Sequence, residues 1–369
     1  MKLYYYISIF VSSFLLTWYI IPLIRAVSIK NRLIQFTNYR SSHKKIVPSF
    51  GGLAFFLVLM IGVLITPEII EKVFNECKLG YINSMIMRAL ILISLIIITY
   101  TGIKDDNKIL SPVRKLLGQS ASAGLIVCFK DFRIQSLYGL FGIYDIPLDV
   151  SIIISIVFIV AFINAFNLID GIDGNAAING ISTSFFFCFF FYHIESMFFL
   201  GFCIMIIGTL SAFLRYNFSN TKKIFMGDTG SLTIGLVLSI LAIRILNIQD
   251  FQIKFDFMKY HDLPIMVFTI LFLPIIDVVR VVVIRIINNK AIYKPDRNHI
   301  HHALINIGFS HRRASIVINT LNILFTYLVF LTLNIYGTLA GILVIILITI
   351  LLLIFLDSIT RKSKLKENY

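Results

Sequence analysis

Long apolar runs alternate with short polar loops along almost the whole chain. Some of these runs are shorter than the roughly 20 residues that cross a bilayer as a helix. In lipid, helices satisfy all of their own backbone hydrogen bonds, so the pattern predicts about eleven transmembrane helices. The runs lie at about residues 3–24, 51–66, 85–103, 115–129, 150–166, 179–193, 196–214, 230–247, 263–285, 316–336 and 338–357.

The composition supports the same class. The chain has 369 residues, 58% of them hydrophobic, and its mean hydropathy is +0.89. This excludes an ordinary soluble globular protein. We therefore expect an all-α polytopic membrane protein in which residues 1–369 form a single integral membrane domain. The cysteines lack metal-ligand spacing and are expected to pack as apolar residues: Cys77, Cys128, Cys188 and Cys203.

Basic residues are distributed unevenly between the loops of this predicted topology. The net charge is +14, and most lysines and arginines fall in the odd-numbered loops and the C-terminal tail. The positive-inside rule places these parts in the cytoplasm and the N-terminus outside. Lys2 precedes the first run and Arg25 follows it without a cleavage site, which predicts an uncleaved first helix. The basic charge therefore reflects topology, and no nucleic-acid partner is expected.

The segment 164–174, at the end of the fifth run, combines carboxylates, amides and glycines. Its polar residues recur at intervals of three: Asn164, Asn167, Asp170 and Asp173. In a helix they point roughly the same way, and Gly171 and Gly174 then end the helix. Unpaired polar groups are costly at the membrane edge, so a cation or cationic ligand is expected here. A capped helix end followed by a turn is the alternative.

Three further polar clusters fall in loops that the charge pattern places in the cytoplasm. They are Asp105-Asp106, Phe225–Ser231 and Asp296–His302. The topology was derived from lysines and arginines, whereas the clusters consist mainly of Asp, Asn and His. Their common side therefore predicts one cytoplasmic site. Lys45 and Lys115, at the starts of the second and fourth runs, either bind a lipid phosphate there or snorkel to the interface.

The first two clusters contain carboxylates beside helix ends. Adjacent helical residues point about 100° apart, so Asp105 and Asp106 need not share a role. One can accept a proton or bind metal while the other holds a basic residue, or both can flank a turn. Gly227–Ser231 opens the eighth run, where backbone N–H groups beside Asp228 are typical of a carboxylate–Mg²⁺–phosphate arrangement. The alternatives are a plain capped turn and, for Phe225, packing rather than stacking on a base.

The histidine cluster, His299-Ile300-His301-His302, indicates either a metal site or an anion site. No cysteine accompanies it and Arg297 lies nearby, so phosphate binding is favoured over zinc. Solvated loop histidines are the alternative. Asp277 and Arg280 lie three residues apart in the ninth run, and this spacing allows them to neutralise each other.

Taken together, these segments resemble the polyprenyl-phosphate N-acetylhexosamine-1-phosphate transferase family. The motifs occur in the family's order and the similarity covers almost the whole chain. The His-Ile-His-His sequence is similar to the branch that uses undecaprenyl phosphate and a UDP-N-acetylamino sugar. Ile300 interrupts the triple histidine of the phospho-N-acetylmuramoyl-pentapeptide translocase. The matching motifs are Asp105-Asp106, Asn164–Gly174, Phe225–Ser231 and Asp296–His302.

The resemblance implies a Mg²⁺-dependent phosphotransferase of the bacterial inner membrane, with Mn²⁺ as an alternative metal. It would transfer an N-acetylhexosamine 1-phosphate, GlcNAc by default, from a UDP-sugar to undecaprenyl phosphate and release UMP. This is the first membrane step of an O-antigen, common-antigen or teichoic-acid type polysaccharide. The implied partners are the UDP-sugar, undecaprenyl phosphate, membrane lipids and, as one option, a second copy of the chain. Direct attack and a covalent aspartyl-phosphate route both stay open.

The resemblance also implies roles for individual residues. Asp228 and Asn167 would hold Mg²⁺ on the diphosphate, and Asp105, with Asp106 beside it, would deprotonate or orient the lipid phosphate. The other residues would contact the substrates: Asp170, Asp173 and Phe225 the nucleotide; His299, His301, His302 and Arg297 the sugar diphosphate; Lys45 and Lys115 phosphates; and Asn164 the substrate without a more specific role.

Two other functions compete with this prediction. A transporter would also have many spans, but it should carry polar residues near the bilayer midplane, where these runs are almost bare. The same chemistry with UDP-MurNAc-pentapeptide is the other alternative, which Ile300 disfavours.

Overall fold

The computed structural model describes residues 2–31, 34–35, 47–74, 81–139, 142–248, 259–287, 289 and 299–367, without the side chains of 34–35, 66–82 and 359–367. The described chain is almost entirely helical. Its helices are α1 (Lys2–Lys30), α2 (Gly52–Phe74), α3 (Tyr81–Asn107), α4 (Pro112–Val127), α5 (Leu148–Ile169), α6 (Asn175–His193), α7 (Met197–Asn217), α8 (Gly227–Leu246), α9 (Leu263–Ile270), α10 (Phe272–Ile287), α11 (Ile300–Asn306), α12 (His311–Tyr336) and α13 (Thr338–Glu367). Two short strands, β1 (Ile34–Gln35) and β2 (Val47–Pro48), pair antiparallel with Ile34 opposite Pro48.

Every predicted apolar run lies on a helix or, for 263–285, on the pair α9–α10. Within the described residues, seven helices are long and apolar enough to cross a membrane, and α9–α10 would be an eighth span bent by 65°. The α4 helix has only 16 residues, and the described apolar part of α2 is also short. The all-α polytopic class is therefore confirmed, whereas the count of eleven spans and their orientation stay predictions.

Helix α8 forms the centre of the bundle. Of the residues in its most apolar stretch, 94% are buried. The corresponding share is 22% for α1 and 11% for α13, which lie at the periphery. It packs against α2, α3 and α5. Because α8 begins at Gly227, the predicted Gly227–Ser231 motif forms its first turn, where all of its residues except Asp228 are buried.

Small residues let α2 and α3 approach α8 closely. A Cβ atom on Gly52 would lie 2.0 Å from Gly230 N, and one on Gly102 would lie 2.5 Å from Thr229 Cα. Such contacts replace the hydrophobic driving force that helices lack within lipid. They fix the beginning of α8 between the ends of its neighbours.

Backbone hydrogen bonds join the segment before α2 to the segment before α8. The N–H groups of Gly51 and Gly52 donate to the carbonyls of Phe225 and Met226 at 3.0 Å each, and Phe225 N–H donates to Pro48 O at 2.8 Å. This ladder holds Phe225 at the entrance to α8.

Candidate active site

Four helix ends meet at the ammonium group of Lys115, in the first turn of α4. Its Nζ lies 2.8 Å from Asp105 Oδ2 at the end of α3 and 3.2 Å from Asp228 Oδ2 at the start of α8. It lies 3.5 Å from Asn167 Oδ1 at the end of α5. Asn167 Nδ2 also donates to Asp228 Oδ1 and, at 2.7 Å, to Ser231 Oγ. Residues more than one hundred positions apart therefore share one site.

Asp106 has a different task from its neighbour. Its carboxylate accepts the backbone N–H groups of Asp228 and Thr229 at 2.9 Å each and the Thr229 hydroxyl at 2.6 Å. It thereby caps the positive end of α8. Two N–H groups that the sequence predicted to be open to an anion ligand are thus bound by the protein itself.

Glycine at position 227 is required by this cap. Gly227 has φ +68°, and a Cβ atom there would lie 2.1 Å from Ser49 O and 2.7 Å from Asp106 Oδ2. Any side chain would strain the backbone and push Asp106 away from α8.

The oxygens around Lys115 fit a hard divalent cation. Two carboxylates and one amide carbonyl, from Asp105, Asp228 and Asn167, lie within 3.5 Å of one ammonium nitrogen and can therefore face a common cation. No cluster of three or more His, Cys, Asp or Glu with a metal-binding arrangement occurs in the part of the chain that the structure describes. Three protein oxygens are fewer than Mg²⁺ takes, so a phosphate and water would complete the coordination if the ion binds here.

Asp170 follows the last residue of α5 and lies among other carboxylates. Burial raises its pKa well above the usual range, and the negative charges of Asp228, Asp106 and Asp173 raise it further. The ionised form of Asp170 is therefore disfavoured in the folded protein.

This arrangement predicts that Asp170→Asn stabilises the protein. The pKa of Asp170 is higher in the folded protein than in the unfolded chain, where it is about 4. The folded wild-type protein therefore loses stability as the pH rises from the unfolded pKa through the folded pKa. In buffer with EDTA, the Tm of Asp170→Asn should exceed wild type by about 2–4 °C at pH 8, with a gap that narrows toward pH 5. The exposed Asp145→Asn is the control. An Asp170→Asn Tm at or below wild type at every pH would contradict the electrostatic account.

The histidines reach the site through the turn after α5. His299 and His301 are buried, and their rings lie parallel with centroids 5.6 Å apart. A Cβ atom on Gly171 would lie 2.6 Å from His301 Nε2, so glycine leaves room for this ring. The Asp277 carboxylate, for which the spacing predicted neutralisation by Arg280, lies 2.9 Å from His299 Nδ1. No spacing pattern predicts this contact, which joins residues 22 positions apart.

The protonation of His301 limits its chemistry. Burial lowers its pKa to about 3, with a further contribution from the charge of His302. His301 is therefore a neutral imidazole at physiological pH, able to exchange hydrogen bonds with an anion but not to screen it as a cation.

Asp173 and Phe225, both predicted for the nucleotide, share a neighbour. Lys223 Nζ lies 2.5 Å from Asp173 Oδ2 and 5.4 Å from the centroid of the Phe225 ring. Arg25 of α1 donates to the carbonyls of Thr221 at 3.1 Å and Lys223 at 3.3 Å. The charge pattern of the sequence predicts neither contact, because both join segments that are distant in the chain.

Asn164 is engaged within the protein. It exchanges two amide hydrogen bonds with Gln119, at 2.8 and 3.1 Å, and donates to Val160 O at 2.8 Å. These bonds tie α5 to α4 and use its donor capacity, so its substrate contact stays a prediction. Lys45 and Arg297 lie outside the described residues.

Comparisons with known proteins indicate one family of sugar-phosphate transferases. The sequence model of glycosyl transferase family 4 matches residues 88–246 of this chain. A probable undecaprenyl-phosphate N-acetylglucosaminyl 1-phosphate transferase of Bacillus subtilis (strain 168) is 32% identical, over 86% of this chain and 82% of the relative. The decaprenyl-phosphate N-acetylglucosaminephosphotransferase of Mycobacterium leprae is 28% identical, over 82% and 78%. An undecaprenyl-phosphate alpha-N-acetylglucosaminyl 1-phosphate transferase of Yersinia pestis is 26% identical, over 80% and 75%.

A helical membrane bundle with this site and these relatives defines a multi-pass membrane enzyme that transfers a phosphate-linked sugar. The chain belongs to glycosyl transferase family 4, among the polyprenyl-phosphate N-acetylhexosamine-1-phosphate transferases. The resemblance seen in the four sequence motifs is thereby confirmed.

Proposed function

We propose that this protein transfers an N-acetylhexosamine 1-phosphate, GlcNAc-1-phosphate by default, from a UDP-sugar to undecaprenyl phosphate. The products are undecaprenyl-diphosphate-N-acetylhexosamine and UMP, made in the bacterial cytoplasmic membrane at the first membrane step of an envelope polysaccharide. The observation that carries the proposal is the convergence of Asp105, Lys115, Asn167 and Asp228 from four helix ends. The names of the Bacillus and Yersinia relatives support the undecaprenyl-phosphate acceptor and the transferred N-acetylglucosamine 1-phosphate.

The reaction joins two anions. A phosphate oxygen of the lipid forms a bond to the phosphorus that carries the sugar, and the bond from that phosphorus to the UMP oxygen breaks. Their mutual repulsion must be screened, which is a task for positioned cations. Asp228 and Asn167 would hold Mg²⁺, or Mn²⁺ in its place, and the bound ion would neutralise charge on the diphosphate and on the leaving UMP. Lys115 supplies a fixed positive charge beside them.

The two adjacent aspartates would have different roles: Asp105 would act on the lipid phosphate, and Asp106 would hold the start of α8. Asp105 faces Lys115 through Oδ2 and accepts the Leu110 N–H through Oδ1 at 2.7 Å. It would orient the lipid phosphate or take its proton. Asp106 is held on α8 through both oxygens. All four oxygens of these two carboxylates already have partners within the protein, so neither aspartate has a free oxygen to attack phosphorus. This favours direct attack by the lipid phosphate over an aspartyl-phosphate intermediate.

The opposite flank would bind the rest of the donor. Asp173 and Phe225, with Lys223 between them, would bind the nucleotide. His299, His301 and His302 would face the diphosphate and sugar, with neutral His301 donating or accepting a hydrogen bond.

Purified protein with undecaprenyl phosphate, Mg²⁺ and a panel of UDP-sugars tests the proposal. The panel contains UDP-GlcNAc, UDP-GalNAc, 6-deoxy N-acetylamino sugars and UDP-MurNAc-pentapeptide. We expect UMP release that requires the lipid phosphate and occurs with an N-acetylamino sugar but not with the pentapeptide. Uptake of a donor into proteoliposomes without UMP release would instead indicate a transporter and overturn the proposal.

A further inference from the structure

The carboxylate of Asp277 uses both oxygens to hold the start of the histidine segment. Its Oδ2 lies 2.9 Å from His299 Nδ1, and its Oδ1 accepts the Ile300 N–H at 2.8 Å. Only 2% of the Asp277 side chain and 8% of the His299 side chain are exposed. A carboxylate is costly to bury unless such hydrogen bonds meet its charge, so the contact is an integral part of the fold.

In a neutral His299 imidazole, this contact determines which nitrogen carries the proton. An ionised carboxylate can only accept a hydrogen bond, so Nδ1 is the donor and Nε2 is left as an acceptor. The parallel ring of His301, at 5.6 Å between centroids, limits rotation of the imidazole. Asp277 therefore sets the tautomer and the orientation of His299, as carboxylates do for histidines in many reactive sites.

The second hydrogen bond sets where α11 begins. Ile300 is the first residue of α11, and His299, its N-cap, makes no side-chain capping bond. Asp277, reaching over from α10, satisfies the free N–H instead. Since α11 carries His301 against Gly171, Asp277 links the bent α9–α10 pair to the turn after α5.

We infer that Asp277 is a positioning residue for the histidines of the active site. It keeps His299 in the tautomer with an unprotonated Nε2, and it fixes α11 relative to the turn after α5. The histidines therefore contact the UDP-sugar in one orientation. The catalytic consequence rests on the proposed phosphosugar transfer, whereas the tautomer and the cap are properties of the chain alone.

The kinetic test compares Asp277→Asn with Asp277→Glu. The amide of Asn keeps the shape but can donate to Nδ1, which would move the His299 proton to Nε2. We expect Asp277→Asn to lower kcat about 10- to 100-fold with the KM for the UDP-sugar nearly unchanged, and Asp277→Glu to recover part of the loss. Asp262→Asn is the matched control. Asp262 directly precedes α9, is 1% exposed and accepts a hydrogen bond from the Thr338 hydroxyl. It should lower Tm similarly but leave kcat unchanged.

The spectroscopic test needs no substrate. In ¹⁵N-histidine-labelled protein in nanodiscs, the His299 resonances, assigned by their loss in His299→Gln, should show the Nδ1–H tautomer in wild type and change in Asp277→Asn. Unchanged His299 resonances, an unchanged kcat, or a kcat loss equalled by Asp262→Asn would overturn the inference. Absence of wild-type turnover with every donor would refute the proposed function alone, because the resonances report on Asp277 independently.

Discussion

Asp228→Asn is expected to abolish turnover, with kcat lower by a factor on the order of 10³ or more. Asp228 stands at the start of the most buried helix and faces both Lys115 and Asn167. The substitution keeps the shape of the side chain but removes the negative charge that a divalent cation needs. UMP release at saturating Mg²⁺ and saturating UDP-sugar measures the effect.

The control for this variant is Asp149→Asn, an identical change in the first turn of α5, at the opposite end of that helix from Asn167. It should retain wild-type turnover. A thermal melt of both variants separates loss of chemistry from loss of fold. Turnover near the wild-type rate in folded Asp228→Asn would refute the metal role.

Lys115→Met is expected to change metal binding and turnover in opposite directions. The ammonium lies 2.8 to 3.5 Å from the oxygens that would face the cation, so the two positive charges repel each other across the same site. Removing the ammonium should tighten binding of Mn²⁺, measured by electron paramagnetic resonance as a stand-in for Mg²⁺. Turnover should nevertheless fall roughly 10²-fold, because the two anionic substrates lose a fixed counter-charge.

Lys108→Met, in the exposed loop between α3 and α4, serves as the control and should change neither property. If metal affinity in Lys115→Met falls in parallel with turnover, the lysine supports the metal site rather than competing with the ion. That result would contradict the arrangement of charges described for this centre.

Much of the fold followed from the sequence because lipid imposes a simple rule. A backbone in hydrocarbon must satisfy its own hydrogen bonds, so each apolar run had to become a helix. The 65° bend between α9 and α10 was not visible in the pattern, since a continuous apolar run does not reveal a break. Short helices such as α4 also show why counting spans from hydropathy alone is insecure.

The candidate site could be predicted in part for a similar reason. Because adjacent helical residues point about 100° apart, different roles could be predicted for Asp105 and Asp106. In the structure Asp105 pairs with Lys115, and Asp106 caps the beginning of α8. Contacts between distant segments were not accessible in this way. The Asp277–His299 pair joins α10 to the segment before α11, and Arg25 of α1 donates to the Lys223 carbonyl. Both are products of tertiary packing, which leaves no periodic trace in the sequence.

The central claim is that phosphorus moves together with the sugar. A UDP-sugar carrying ³²P in its β-phosphate, incubated with purified protein, undecaprenyl phosphate and Mg²⁺, follows that atom directly. We predict that the label appears in the lipid fraction with one unlabelled UMP released per labelled lipid, and that Asp228→Asn shows neither product. Label retained in released UDP while the sugar alone joins the lipid would contradict the account.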